Sequence, residues 1–264
     1  MSSSPPDTSG TPISENVARI ALAIERYVLP WIFFLLAWRD FRGVYGQYLI
    51  FRRLVELGNH TVSWPLFLTG ITRLLLLSIL QTFFGLTLLI SRRPKHLPKQ
   101  LVHIIVPLAM SYYFFLYRIV YSLPEPWNRN LLPGEWQFPA AAVAGFLAIV
   151  GYGIALWGIS YLRRSFALMV AVREVVSGGP YAYVRHPMYL GYIFELSGLV
   201  LASCSLGMLL AAAGFICLMV VRARLEEGRL IEVSPEYRDY MKRTGFLFPR
   251  FHRTPTGTTA VRRA

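Results

Sequence analysis

Residues 177–192, Ser-Gly-Gly-Pro-Tyr-Ala-Tyr-Val-Arg-His-Pro-Met-Tyr-Leu-Gly-Tyr, place four tyrosines, a guanidinium and an imidazole within sixteen positions. Gly178-Gly179-Pro180 reads as a turn, because glycine reaches backbone angles that other residues avoid and proline pre-sets its own. A helix is expected to begin at His186-Pro187, since the missing N–H of proline would go unbonded at the first helical position anyway. The free N–H groups of that first turn then face the loop and form an anion seat. Arg185 and His186 stand beside it as donors, and Tyr181 and Tyr189 can stack on a flat heterocycle or face a cation. The plainer account is a loop before a membrane helix, with arginine and tyrosine at the lipid boundary.

A second polar stretch follows about thirty residues later, beyond an apolar run. Arg222 and Glu226 are four apart, so a helix puts both on one face, where the minimal account is a surface ion pair. Arg224 and Glu227 point elsewhere on that helix and are expected to be solvated. Tyr237, Tyr240, Phe246 and Phe248 then alternate with basic residues, the pattern of a short amphipathic helix lying on a membrane surface or forming a lid.

Gly-Pro-Tyr, three residues, Arg-His-Pro, one residue, Tyr, one residue, Gly resembles the C-terminal signature of the integral-membrane methyltransferases related to isoprenylcysteine carboxyl methyltransferase. Arg222 and Glu226, then Glu236-Tyr237 with Tyr240, and the closing Phe248-Pro249 agree with the same pattern, so the resemblance covers residues 160–250. It implies S-adenosylmethionine as cofactor, contacted by Tyr181, His186 and Tyr189 with the backbone of Pro187 and Met188. Arg173, Glu174, Val175 and Val176 correspond to a strand-like piece lining that cofactor. The family commonly has histidine where this chain has Arg173, and an arginine there suits the cofactor carboxylate or an anionic lipid head group. The resemblance assigns Glu226 to polar groups of the cofactor and Arg222 to the methyl acceptor, the two acting together in catalysis. A guanidinium suits an acceptor carboxylate, because it binds two oxygens in one plane.

The rest of the chain must hold these groups in a bilayer. It has 264 residues, 55% of them hydrophobic and 16% charged, which is too apolar for an ordinary soluble domain. The fold class expected is all-α: a polytopic transmembrane helical bundle of five or six spans, closed by a C-terminal helical hairpin, with polar cofactor-binding segments outside the spans. Residues 1–16 read as a disordered tail, 17–160 as membrane helices that select the acceptor, 161–250 as the cofactor-binding core and 251–264 as a basic tail. Spans are expected at 65–90, 101–123, 140–162, 187–203 and 206–221, with Arg118 near the far end of the second and the Cys204-Ser205 connection forcing an antiparallel hairpin. Residues 17–38 either span or lie at the interface, and 44–51 read as an aromatic piece too short to cross. The formal net charge of +13 comes from arginines flanking apolar runs, which suits topology rather than nucleic acid. Their distribution over short loops puts the signature loop and the C-terminal segment on the cytoplasmic side.

Glu195 is the carboxylate deepest in an expected membrane helix, where it is costly unless paired or functional. It is a candidate substrate-pocket residue or a structural hydrogen-bond partner. The two cysteines and the scattered histidines, His60 among them, have no metal-ligand spacing, so no metal is expected. The activity implied is methyl transfer from S-adenosylmethionine to a lipophilic acceptor delivered through the membrane. A carboxylate such as a prenylated cysteine or another lipid acid comes first. N- or S-methylation of phospholipid amines or small thiols is the alternative, and an inactive membrane scaffold or a transporter is the alternative of another class. Membrane lipids are the surrounding partners, and the oligomeric state stays open.

Overall fold

The computed structural model describes residues 11–58, 64–113, 119, 120 and 122–250, with the side chains of Pro65 and Leu66 left aside. Among the described residues eight α-helices follow in order: α1 Glu15–Tyr27, α2 Leu29–Glu56, α3 Trp64–Ile90, α4 Val102–Tyr112, α5 Gly134–Leu162, α6 Pro187–Ser203, α7 Leu206–Val233 and α8 Tyr237–Arg243. Among the described residues there are no strands, only three isolated bridges. The architecture is therefore the all-helical membrane bundle expected. Glu15–Glu56, Phe67–Ile90, Gly134–Ser165 and Leu206–Val233 are long and apolar enough to cross a membrane, and Val102–Tyr112 is a shorter apolar helix. Arg118, part of the expected span 101–123, His60, and the tails at 1–10 and 251–264 lie outside the described residues.

Two expectations for the N-terminal half are corrected. Residues 11–16 are not a free tail: the Ile13 N–H donates to the Lys99 carbonyl at 3.2 Å and the Leu101 N–H donates to the Thr11 carbonyl at 3.1 Å. Ser14 caps α1, its hydroxyl accepting from the Val17 N–H at 3.4 Å. The aromatic piece at 44–51 is not separate either, because α2 runs unbroken through it. Asp40, a carboxylate within α2, is neutralised where that helix meets α3. Asp40 is buried, 2.7 Å from Arg39, and accepts from the Gln81 amide of α3 at 3.1 Å. The break falls earlier, at Val28, where Pro30 in the first turn of α2 supplies no N–H to continue α1.

The core that positions the site is the α5–α6 contact. The buried face of α5 reads Ala140, Ala144, Ala148, Gly151, Tyr152, Ala155, Gly158 and Ile159, a helical stripe of mostly small residues that lets backbones approach. A Cβ on Gly191 of α6 would sit 2.5 Å from the Gly151 carbonyl oxygen and 2.9 Å from the Ala155 nitrogen. α7 folds back on α6 through Cys204, which adopts a left-handed conformation, and Ser205, whose hydroxyl accepts from the Met208 N–H at 3.3 Å. The hairpin read from the short connection is present.

Backbone atoms cannot swing aside, so Gly191→Ala should lower stability by about 1–3 kcal/mol. Gly153→Ala, on the same helix pair but facing open space, should leave stability unchanged or raise it. Thermal-unfolding midpoints in detergent check both.

Candidate functional site

Sequence order brings three polar pieces to one end of the bundle: the loop 91–101, the segment 163–186, and the end of α7 with α8. They interlock by backbone and charge. The Lys95 N–H donates to the Val172 carbonyl at 2.8 Å and the Val170 N–H to the His103 carbonyl at 3.0 Å. Arg92 pairs with Glu174 at 2.5 Å, and Glu232 of α7 is shared by Lys99 and Arg229. The signature loop is zipped to the chain after α8, with the Arg185 N–H donating to the Gly245 carbonyl at 2.8 Å and the His186 N–H to the Phe246 carbonyl at 3.2 Å.

The helix begins at Pro187, with His186 as its cap. Two of the expected anion-seat donors are already used, since the His186 N–H donates to the Phe246 carbonyl at 3.2 Å and the Tyr189 N–H to the His186 carbonyl at 3.1 Å. The His186 ring stacks on Tyr189 with centroids 5.0 Å apart and planes 5° apart. Its Nε2 lies 3.2 Å from Glu227.

Glu227 is a correction to the sequence reading. It is buried, not solvated, and its Oε1 accepts from Arg185 Nε at 2.6 Å. Arg185 also donates to the carbonyls of Met241 and Thr244, at 3.1 and 2.6 Å, so this pair locks α7, the signature loop and α8 together. Helical rotation alone suggested that residue 227 turns away from residue 226. It does turn away, but toward a loop folded against that side. Arg224 is exposed, as expected, and its guanidinium lies 5.4 Å from the Phe246 ring centroid.

On the neighbouring face Arg222 Nε donates to Glu226 at 2.9 Å, and the Tyr189 hydroxyl reaches both oxygens of that carboxylate at 3.1 and 3.2 Å. This is not a surface pair, for Arg222 is buried. Its other nitrogens donate to the Leu168 carbonyl at 2.9 Å and approach Met110 sulfur at 3.8 Å. Arg173 is also buried. It pairs with Glu25 of α1 at 2.9 Å and donates to the Arg92 carbonyl at 2.8 Å, and Glu25 further accepts from the N–H of Met169 at 3.1 Å. Arg173 Nη1 and Arg229 Nε have no hydrogen-bond partner among the described residues.

These groups surround one cavity of about 500 Å³. Arg173, Glu174, Val175, Val176, Tyr181, His186, Met188, Tyr189, Glu195, Arg222 and Glu226 all line it, whereas Pro187 packs against Gly158 of α5. Its apolar wall comes from α2 and α3, including Phe33, Leu77 and Phe84. Glu195 lies on the same wall as Tyr189 and accepts from the Tyr152 hydroxyl at 2.9 Å, with Arg73 of α3 at 3.4 Å. Sequence reasoning missed Glu25, Arg73 and Tyr152. A carboxylate and an arginine inside apolar runs were signals for the first two, but a tyrosine in an apolar helix carries none. Burial, and after it the neighbouring Glu226 charge, pushes the Tyr181 phenol well above its ordinary value, so it stays protonated as a donor. Above it the Tyr240 hydroxyl of α8 donates to the Tyr181 carbonyl at 2.6 Å.

Residues 143–232, from within α5 to the last turn of α7, match the isoprenylcysteine carboxyl methyltransferase (ICMT) family. Over this segment the protein is ICMT-like. The match starts earlier than the resemblance read from the sequence and stops short of α8. The chain is 31% identical over 121 residues to the cobalt-zinc-cadmium resistance protein CzcN of Cupriavidus metallidurans, covering 44% of this chain and 53% of that protein. It is 32% identical over 126 residues to the nickel-cobalt-cadmium resistance protein NccN of Alcaligenes xylosoxydans xylosoxydans, covering 46% and 58%. A methanethiol S-methyltransferase of Pseudomonas deceptionensis is 34% identical over 76 residues, 28% of each chain. The aligned part thus spans little more than half of the first two relatives. The ICMT-like segment supplies every cavity-lining group named above except those from α2, α3, α4 and α8.

Removing one partner of a buried ion pair strands the other charge. Glu227→Ala should therefore cost about 3–5 kcal/mol, whereas Arg224→Ala should stay within about 1 kcal/mol. Unfolding free energies in mixed micelles check the contrast.

Proposed function

We propose that the protein is an integral-membrane methyltransferase that uses S-adenosylmethionine to methylate a lipophilic acceptor reaching the cavity from the bilayer. One observation carries this reading: in the ICMT-like segment a cavity of about 500 Å³ has the Glu226–Tyr189–Arg222 cluster at one end and apolar walls beyond it. That volume lies within the ~300–1,000 Å³ common for small-molecule sites.

The donor set fits the cofactor. The partly exposed Glu226 carboxylate can accept from an ammonium or from ribose hydroxyls, while the Tyr189 hydroxyl and Arg222 hold it in one orientation. The buried Arg173 Nη1, without a partner among the described residues, calls for a hydrogen-bond acceptor, and a carboxylate can serve as one. Tyr181 stays protonated and can donate. When bound, S-adenosylmethionine supplies an electrophilic methyl group on a sulfonium centre. The chain's own contribution is to orient, to exclude water and to hold the acceptor in line, effects that supply most of the acceleration in such a displacement. α8, bonded to the signature loop through Tyr240, closes this end against solvent. The distribution of arginines supports access of the cofactor from the cytoplasm and of the acceptor from the bilayer.

Two acceptor classes compete. A carboxylate acceptor relied on Arg222, but in this structure each nitrogen of that guanidinium already faces a partner within the chain. A thiol acceptor draws support from the Pseudomonas relative, named for methanethiol S-methylation. The first is therefore the second reading, and the thiol the first.

Calorimetric titration of the detergent-purified protein with S-adenosylmethionine and S-adenosylhomocysteine tests the cofactor. Saturable binding is expected, weakened at least about tenfold in Glu226→Gln, the loss typical of one charge-assisted hydrogen bond. A folded sample that binds neither compound would sink the reading.

A further inference from the structure

One face of α6 carries Tyr189, Tyr192, Glu195 and Leu199 into the cavity. At 1.5 Å of rise per residue, Glu195 stands about 9 Å along the axis from Tyr189, the tyrosine bonded to Glu226. The two carboxylates therefore mark a cofactor end and an acceptor end of one cavity wall. We propose that Glu195 is the proton acceptor for a neutral, apolar thiol bound at the second end. This deepens the methyl-transfer reading and rests on it.

Glu195 is 4% exposed. Its recorded bonds all fall on one oxygen: Oε1 accepts from the Tyr152 hydroxyl at 2.9 Å and faces Arg73 Nη2 at 3.4 Å. Among the described residues nothing donates to Oε2, and Glu195 lines the cavity. A carboxylate held in an apolar bundle with one oxygen unsatisfied is costly, and such a group marks function by default. The groups facing it are Arg73 from α3, Tyr152 from α5 and Tyr192 from its own helix.

That setting selects among acceptors. Arg73 and Glu195 together are near neutral, so an incoming ammonium or carboxylate gives up its hydration without a spare counter-ion. A carboxylate would also meet Oε2 as a like charge. A neutral thiol passes from the bilayer along Phe33, Leu77 and Phe84 with little desolvation, but it must be deprotonated, since an alkyl thiol holds its proton at pH 7. In the step the S–H bond breaks and its proton passes to Oε2. The sulfur's electron pair forms the bond to the methyl carbon, while the cofactor's own carbon–sulfur bond breaks with its pair staying on the departing thioether.

The test has two arms. Without cofactor, the wild type is titrated with hexanethiol and with hexanoate; thiol binding at least tenfold tighter is expected, and equal or tighter hexanoate binding overturns the proposal. This arm does not depend on S-adenosylmethionine, whose own titration tests the reading beneath it. With cofactor, Glu195→Gln should keep cofactor affinity and hexanethiol affinity within about threefold while losing about 10²–10⁴-fold in transfer to hexanethiol at pH 7, the range of a general base. The loss should shrink about tenfold per pH unit as solvent ionises the thiol, and should be small for thiophenol, which ionises readily. A merely structural role would reduce both thiols alike and leave the pH profile in place, and that result, or an unchanged rate, overturns the proposal. Tyr152→Phe, which removes the donor to Oε1 while keeping the ring, should show the same dependence on thiol acidity at smaller amplitude and serves if Glu195→Gln does not fold.

Discussion

A carboxylate buried in an apolar helix bundle must find a cation or a set of donors, and among the described residues this chain meets that constraint four times. Glu25 pairs with Arg173, Asp40 with Arg39, Glu195 with Arg73 and Glu227 with Arg185, at 2.6–3.4 Å. Three of the four pairs join elements far apart in sequence. Glu25 ties α1 to the segment before the signature turn, Glu195 ties α6 to α3, and Glu227 ties α7 to the signature loop and through Arg185 to α8. Breaking such a pair leaves an uncompensated charge, so each fixes one arrangement of the elements it joins.

The cavity follows from those links. Small residues on α5 and α6 bring the two backbones into contact, which presents Tyr189 and Glu195 to one side. The segment 166–173, part of its lining, is held by Glu25 and by the loop after α3. Arg222 reaches over from α7 to the Leu168 carbonyl, so the same residue orients Glu226 and secures that segment. Its double engagement is why packing and candidate site are hard to separate there. It is also why a division between an acceptor arginine and a cofactor glutamate is less clean than their spacing suggested.

Much of this was legible from residue order. The turn at 178–180, the helix start at Pro187, the hairpin at Cys204-Ser205 and the shared face of Arg222 and Glu226 follow from local geometry, which acts over a few residues wherever the chain is placed. The unbroken course of α2 does not, since whether Asp40 interrupts a helix depends on the arginine beside it and on Gln81 of another helix. Glu227 was misread for the same kind of reason: its partners come from residues 42 and 41 positions away, Arg185 and His186.

Composition and the order of two short stretches by themselves determined a helical membrane protein with an ICMT-like C-terminal region, because hydropathy and turn chemistry are local. Only the tertiary structure decided which charges face each other, that most of the candidate residues line one cavity, and that Glu195 lines it with them. Those facts depend on distances between helices separated by dozens of residues, and no local preference encodes a distance of that kind.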